Sequence, residues 1–457
     1  MRFRKKITAC LIGMATVTSL PLFGQGTNSI RLTLEQCVAM ALEQNSQVLN
    51  SQRRLKVAES NVVTARATLL PRITTSVNSG VFEQGPRTTL FDVPVGRDPE
   101  TGKVIYEQQE IVQQGIQRNF NSMNFSLNQT IYDFGKTYNT LKQSKATREA
   151  TEYIYESTQQ NTVLLVYQSY YQLLQSVQLL EVAEEAVKQS EEQLKRTRSM
   201  YEIGAAALAD VYRAQTTLGN DRITLLNQKT AVRNARYALN IVLGREADAP
   251  LEIVDVGDAQ PGEYDLRDVL EKAYSSNPDL RRFKAEMAAA SHGLKGAKAT
   301  FLPTIGASVS YARSNDDINK VYSGYDKNYS INYGINLSFN LFNGFADVAN
   351  VERRSSEYRI AQESYNERRR QIRQEVLQAL DNLKAAQEIA EINNENLISA
   401  QEDLRLAQER YRVGAGTLLD VITAQVNLTR ARSTLVRAKY DIKIYEAQLH
   451  ARMGILK

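Results

Sequence analysis

Residues 329–341 read YSINYGINLSFNL, and this stretch decides the fold class. Apolar side chains alternate strictly with small polar ones along it, at Tyr329, Ile331, Tyr333, Ile335, Leu337, Phe339 and Leu341. This alternation predicts a β-strand with one apolar and one polar face. The polar face carries no charge and the apolar face has aromatic residues at its ends, which is typical of a strand lying between lipid and water.

Three other segments show the same alternation, at residues 305–311, 73–81 and 123–131. A soluble antiparallel sheet is the ordinary interpretation, but it requires a core to cover its apolar face. The rest of the chain reads as long helix and offers no such core. Four strands cannot close a barrel, since the smallest closed barrels have about 8 strands. Membrane-spanning strands here therefore require oligomerisation: two copies would give about 8 strands and three copies about 12.

Two uninterrupted segments dominate the remaining sequence. Neither 136–203 nor 346–413 contains a glycine or a proline, and each is 68 residues long. At about 1.5 Å per residue, each predicts a helix of about 100 Å. Each ends at a glycine, Gly204 or Gly414, after which a second helical pattern returns along the chain. The sequence therefore predicts two long antiparallel helical hairpins, packed helix on helix because the heptads are imperfect.

The chain is an internal duplication. Leu70-Pro71 recurs 232 positions later as Leu302-Pro303, and Tyr201 to Gly204 recurs 210 positions later as Tyr411 to Gly414. The change in offset places 22 extra residues in the first half, where we expect a longer loop over 82–121. The predicted domains are a signal peptide at 1–24, a first repeat at 30–245, a linker at 246–263 and a second repeat at 264–455.

Composition excludes several classes of function. A basic start followed by an apolar run predicts that residues 1–24 are a secretory signal peptide, and removing its four basic residues lowers the net charge from +5 to +1. A nearly neutral mature chain argues against nucleic-acid binding. Two histidines and two cysteines leave little for a metal site or a catalytic triad. We therefore expect no cofactor, no bound metal and no enzymatic activity.

Local motifs, in the same order in both halves, resemble those of the outer membrane efflux protein (TolC-like) family. They are Leu69-Leu70-Pro71 and Phe301-Leu302-Pro303 before a strand, and IYDFG at 131–135 and LFNGF at 341–345 where strand turns into long helix. The resemblance implies a mainly α fold with a transmembrane β part, in which a duplicated unit of helical hairpins and four strands contributes to a trimeric 12-stranded barrel and an α-helical tunnel. It implies an outer membrane location in a Gram-negative bacterium, with extension into the periplasm.

The resemblance also implies partners and a function. These are outer membrane lipid, two further copies in a homotrimer, a periplasmic adaptor protein and an inner-membrane pump. The chain would be the passive exit duct of a tripartite efflux or type I secretion system. The alternative is a structural coiled-coil protein that spans the periplasm without transporting anything. Such a spacer would have no need of the alternating strand at 329–341.

Candidate functional residues lie at the hairpin tips, where the tunnel would narrow. Candidates for tip packing or adaptor contact are Tyr201, Gly204, Ala205, Leu208, Tyr411, Gly414, Ala415 and Leu418. Asp210 and Asp420 follow the tip glycines by six residues. In a trimer they would place an acidic ring at the aperture, which could favour cations. The alternative is that each only complements the dipole of the helix whose first turn it occupies.

Overall fold

The computed structural model describes residues 31–254, 257 and 262–456, so the predicted signal peptide lies outside the described residues. The described chain is mainly helical, with α1 at Leu34–Gln44, α2 at Ser46–Ala67, α3 at Lys136–Glu202, α4 at Leu208–Val242, α5 at Leu266–Ser276, α6 at Pro278–Lys298, α7 at Ile318–Tyr322, α8 at Ala346–Arg412 and α9 at Leu418–Met453. Its strands are β1 at Arg31–Leu32, β2 at Arg72–Gln84, β3 at Arg87–Arg97, β4 at Val104–Gln113, β5 at Ile116–Tyr132, β6 at Glu252–Ile253, β7 at Thr304–Asn315 and β8 at Tyr329–Ser338.

Two helical hairpins form the bulk of the molecule, α3 with α4 and α8 with α9. The helices α3 and α8 are each 67 residues long, as the glycine- and proline-free segments predict. Each is therefore about 100 Å long. None of the helices among the described residues is both long and apolar enough to cross a membrane.

The same junction closes the base of the hairpin in both repeats. Asn45 separates α1 from α2 and donates from Nδ2 to the carbonyl of Val242 at 2.9 Å. Asn277 does the same between α5 and α6, with the carbonyl of Arg452 at 3.0 Å. Each asparagine also caps the helix that follows it. The breaks predicted at these positions thus tie the end of each return helix to the start of its repeat.

Two clusters of buried side chains lie near these junctions, one mainly from the first repeat and one from the second. One cluster centres on Tyr170, whose hydroxyl donates to the carbonyl of Val254 at 2.5 Å. The other centres on Ile372, Val376 and Leu449. The predicted linker contributes β6, which pairs in parallel with β1. The linker therefore includes a short strand that helps to position the first repeat.

Four antiparallel strands form one sheet, in the order β2-β5-β7-β8. Odd-numbered residues share its apolar face and even-numbered residues its polar face. The apolar side chains are exposed, Tyr333 by 82% and Leu337 by 66%, so no core formed by the described residues covers them. The four predicted strands are confirmed, although β8 ends at Ser338 and not at Leu341. Within the part of the chain that the structure describes, β2 and β8 each pair on one side only.

The expected loop over 82–121 is wrong. β2 and β5 extend through it, and β3 and β4 form a further antiparallel hairpin. The β3–β4 pairing continues the register of the β2–β5 pairing, since Gln84 lies opposite Ile116 and Arg87 lies opposite Gln113. The 22 extra residues therefore lengthen a β-hairpin beyond the end of β7. The sequence pattern did not predict the β3–β4 hairpin because Gly85-Pro86 interrupts the alternation.

Candidate functional site

The first hairpin tip ends α3 with a Schellman turn. Gly204 has φ of 76°, and its N–H donates to the carbonyl of Tyr201 at 2.9 Å. The N–H of Ala205 donates to the carbonyl of Met200 at 2.7 Å. These two bonds satisfy carbonyls that the helix end leaves free. A positive φ favours glycine, so Gly204 is required by the turn itself.

The second tip has the same geometry at the end of α8. Gly414 has φ of 77° and donates to the carbonyl of Tyr411 at 3.1 Å. Ala415 donates to the carbonyl of Arg410 at 2.9 Å. Space is open around the position of a Cβ at both glycines. Glycine is therefore needed at both tips for its backbone conformation and not for close packing.

The two return helices begin differently. Thr417 caps α9 with a capping box: its Oγ1 accepts from the N–H of Asp420 at 3.2 Å, and Asp420 Oδ2 accepts from the N–H of Thr417 at 2.8 Å. Ala207 precedes α4 and provides no side-chain cap. Leu418 is buried with 2% exposure, whereas its counterpart Leu208 is 45% exposed. The second tip is therefore held more firmly than the first.

The candidate acidic residues are both engaged locally. Hydrogen bonds from the backbone and hydroxyl of Thr417 hold the pKa of Asp420 below its usual range, so this carboxylate is charged at neutral pH. Asp210 lies 3.6 Å from Arg213 on the same helix. Asp420 is exposed and Asp210 is half-buried. Helix capping accounts for Asp420 directly, and its charge is still available to solvent.

Tyr411 brings the two tips of one chain together. Its hydroxyl lies 3.5 Å from Sδ of Met200 at the end of α3. Burial and the nearby Asp210 carboxylate raise the pKa of Tyr411. Tyr201, the equivalent residue in the first repeat, is instead exposed. Only one of the two predicted tyrosines therefore links the hairpins.

Sequence reasoning missed Met200 and Thr417. The pattern Thr417-x-x-Asp420 is a recognisable N-cap signature and could have been found, because an acid or amide three residues after a threonine favours a capping box. Nothing in the sequence identified Met200, since its role depends on how the two hairpins lie side by side. In the described part of the chain, no group of three or more His, Cys, Asp or Glu residues is placed to hold a metal ion.

Comparison with known proteins decides the family. The sequence profile described as "Outer membrane efflux protein" matches residues 37–245 and 269–455. The chain belongs to the outer membrane efflux protein family. The predicted family and the outer membrane location, with extension into the periplasm, are thereby confirmed. Members of this family are outer membrane efflux channels.

Relatives cover nearly the whole chain. The chain is 24% identical over 449 residues to the outer membrane protein TolC of Vibrio cholerae, covering 96% of this chain and 95% of that relative. It is 22% identical over 419 residues to the outer membrane efflux protein BepC of Brucella suis, covering 92% and 84%. The Campylobacter jejuni CmeC outer membrane channel has a TM-score of 0.77 at 18% identity, covering 98% of this chain and 94% of that one. At such identity, structural likeness establishes the fold.

Proposed function

We propose that three copies of this chain form a passive exit duct of a tripartite efflux or type I secretion system. The single observation that carries the proposal is the four-stranded sheet. Its apolar face is exposed, and its edge strands β2 and β8 each lack a second neighbour among the described strands. An open edge cannot lie in lipid, because its backbone groups have no partner there. Pairing β8 of one copy with β2 of the next would remove every edge.

Three copies would give a closed barrel of about 12 strands, with the apolar face toward lipid and the polar face toward water. The helical hairpins would continue this wall into the periplasm as a tunnel of about 100 Å. We take 30–245 and 264–455 as the two repeats of that wall, joined by 246–263. A conduit of this kind needs no catalytic group, so the chain would not act as an enzyme.

Control of the duct is proposed to lie at the tips. Separating the two hairpins would break the contact of Tyr411 with Met200, and docking of a periplasmic adaptor against exposed tip residues such as Tyr201 and Leu208 would drive that separation. Energy would come from an inner-membrane pump. We also propose that Asp210 and Asp420 of the three copies favour cations at the aperture. Replacing both by asparagine should then reduce cation selectivity of the opened channel in planar bilayers.

The first experiment tests assembly and location together. Leu337→Asp places a charge on the exposed apolar face, at a cost of the order of 2 kcal/mol in lipid. Asn336→Asp is the matched control, because its side chain lies on the polar face one residue away. We expect Leu337→Asp to abolish the heat-labile oligomer on unheated gels of outer membranes, and Asn336→Asp to retain it. Intact assembly of Leu337→Asp would refute a lipid-facing sheet.

The second experiment tests transport. Deleting the protein should increase susceptibility to drugs, bile salts or metals, or stop secretion of a polypeptide, and the wild-type gene should restore the function. A structural spacer is the second candidate function, because the hairpins alone could bridge the periplasm. A deletion strain with unchanged efflux and secretion, but altered spacing between the membranes, would favour that spacer.

A further inference from the structure

The polar face of the sheet changes character where β7 ends. Asn315, the last residue of β7, lies opposite Asn121 of β5. Up to that level the even-numbered residues of β2 and β5 are small and polar, namely Thr74, Ser76, Asn78, Ser122, Asn124, Ser126 and Asn128. Beyond it the same face carries Phe82, Ile116 and Phe120, which we call the collar. Apart from Tyr132, which a bulge after Thr130 places opposite Ile305, these are the three large apolar side chains at even-numbered positions of β2, β5, β7 and β8.

The collar is ordered and uncovered. Phe120 lies over Gly80, where a Cβ would come within 2.7 Å of its ring. The guanidinium of Arg118 lies 5.3 Å from the centre of the Phe82 ring. Phe82, Phe120 and Ile116 are nonetheless 43%, 47% and 56% exposed. Rings that pack on their own strands and still face solvent are a sign that another surface is required to cover them.

On the opposite face the chain covers the level at which β7 ends, whereas Val81 beyond it is 57% exposed. Asn121 donates from Nδ2 to the carbonyls of Asn315 and Asp316. Arg313 is 1% exposed, and its Nη2 lies within 3.2 Å of four carbonyl oxygens of the following segment, including those of Lys320 and Lys327. This segment includes α7 and packs on β5 and β7. The fold therefore covers the opposite face where β7 ends and leaves the collar uncovered on the polar face.

We propose that the collars of three copies face one another across the outer mouth and form an apolar constriction, a second gate in series with the helix tips. This inference rests on the three-copy duct proposed above, in which the polar face lines the pore. With strands 4.8 Å apart and tilted by about 40°, the wall of about 12 strands below the collar has a radius of about 12 Å, and β2 and β5 of each copy continue from its rim to the collar. Aromatic rings projecting inward from three sides occupy much of that radius.

An apolar ring of this size controls passage by excluding water. The polar lining below it is rich in serine and asparagine and stays wet, so within the barrel the water column is broken at the collar. Arg118 adds a positive charge beside the aromatic surface. A solute with an aromatic or apolar part can contact the collar in place of water as it leaves. Large polar molecules in the medium are kept out.

Cysteine labelling from outside the cell tests this gate. Asn124→Cys places a thiol on the polar face below the collar, and Gln114→Cys places one between β4 and β5 above it. Cys37 is fully buried and gives no background. Intact cells are treated with a small and with a polymer-linked membrane-impermeant maleimide. We expect both reagents to label Gln114→Cys, and the polymer-linked reagent to label Asn124→Cys at least ten-fold more slowly.

Removing the collar should remove the delay. In Asn124→Cys carrying Phe82→Ser and Phe120→Ser, the polymer-linked reagent should react nearly as fast as it does at Gln114→Cys. The matched control carries Val81→Ser and Asn119→Ser on the opposite face of the same strands and should keep the delay. Equal labelling of Asn124→Cys with and without the collar would overturn the inference. If unheated gels then still showed the three-copy assembly, the proposed duct would stand while the outer gate failed.

Discussion

The two hairpin tips should differ in stability because only the second has a side-chain cap. Thr417→Ala removes the hydroxyl that accepts from the N–H of Asp420 and donates to its carboxylate, and leaves only the bond from the backbone N–H of residue 417 at the start of α9. Loss of a threonine N-cap costs about 1 kcal/mol, which corresponds to a change of about five-fold in a local opening equilibrium. The variant should therefore increase hydrogen–deuterium exchange of the amides in residues 413–423 by about five-fold, while the core amides of α8 are unchanged.

The first tip provides the converse variant. Ala207 occupies the N-cap position of α4, and Asp210 is already in place three residues later. Ala207→Thr should therefore complete a capping box and slow exchange in residues 203–213 by a similar factor. Mass spectrometry of tip peptides from the purified oligomer measures both effects. An unchanged rate in 413–423 for Thr417→Ala, or an equal increase in both tips, would refute the reasoning from the cap.

Three further predictions concern the junction and the rim. Gly244→Ala should lower the melting temperature more than Gly204→Ala: both glycines have positive φ, but a Cβ at 244 would lie 2.6 Å from the carbonyl oxygen of Gln44, whereas that at 204 meets open space. We expect a loss of about 2–5 kcal/mol against about 1–2 kcal/mol, and equal losses would contradict the clash. Burial lowers the pKa of His450, so protonation favours the unfolded chain, and stability should fall as the pH drops from 7 to 5. His450→Gln should weaken that dependence in thermal melts, with the remainder assigned to His292, whose pKa burial also lowers, and an unchanged slope would assign the dependence to other groups. Arg313→Ala should release the segment from 316 to 328 and speed its cleavage by external trypsin in intact cells, which would not happen if the segment were held by backbone contacts alone.

Periodicity made most of the fold predictable. The glycine- and proline-free segments gave both long helices to within a residue, because nothing in them can end a helix. Strict alternation gave the four strands of the sheet, and the repeated Asn45 and Asn277 marked the helix breaks. In each case a local property of the chain is sufficient to fix the element.

Features that depend on distant contacts could not be predicted. The sequence predicts a loop where β3 and β4 form a hairpin, because Gly85-Pro86 disrupts the alternation at its base. The link between Tyr411 and Met200 depends on the lateral position of two hairpins, which no local pattern encodes. The tip glycines were recognised correctly as turns, but whether tip residues contact an adaptor is a property of a complex and stays a prediction.

The mass of the native assembly tests the central claim most directly. A lone chain has a sheet with two open edges and an exposed apolar face, so a single copy cannot provide a complete wall. Native mass spectrometry of the protein extracted from outer membranes in mild detergent should show one species containing three chains. A single chain, or a stable pair, as the membrane-embedded species would contradict the account.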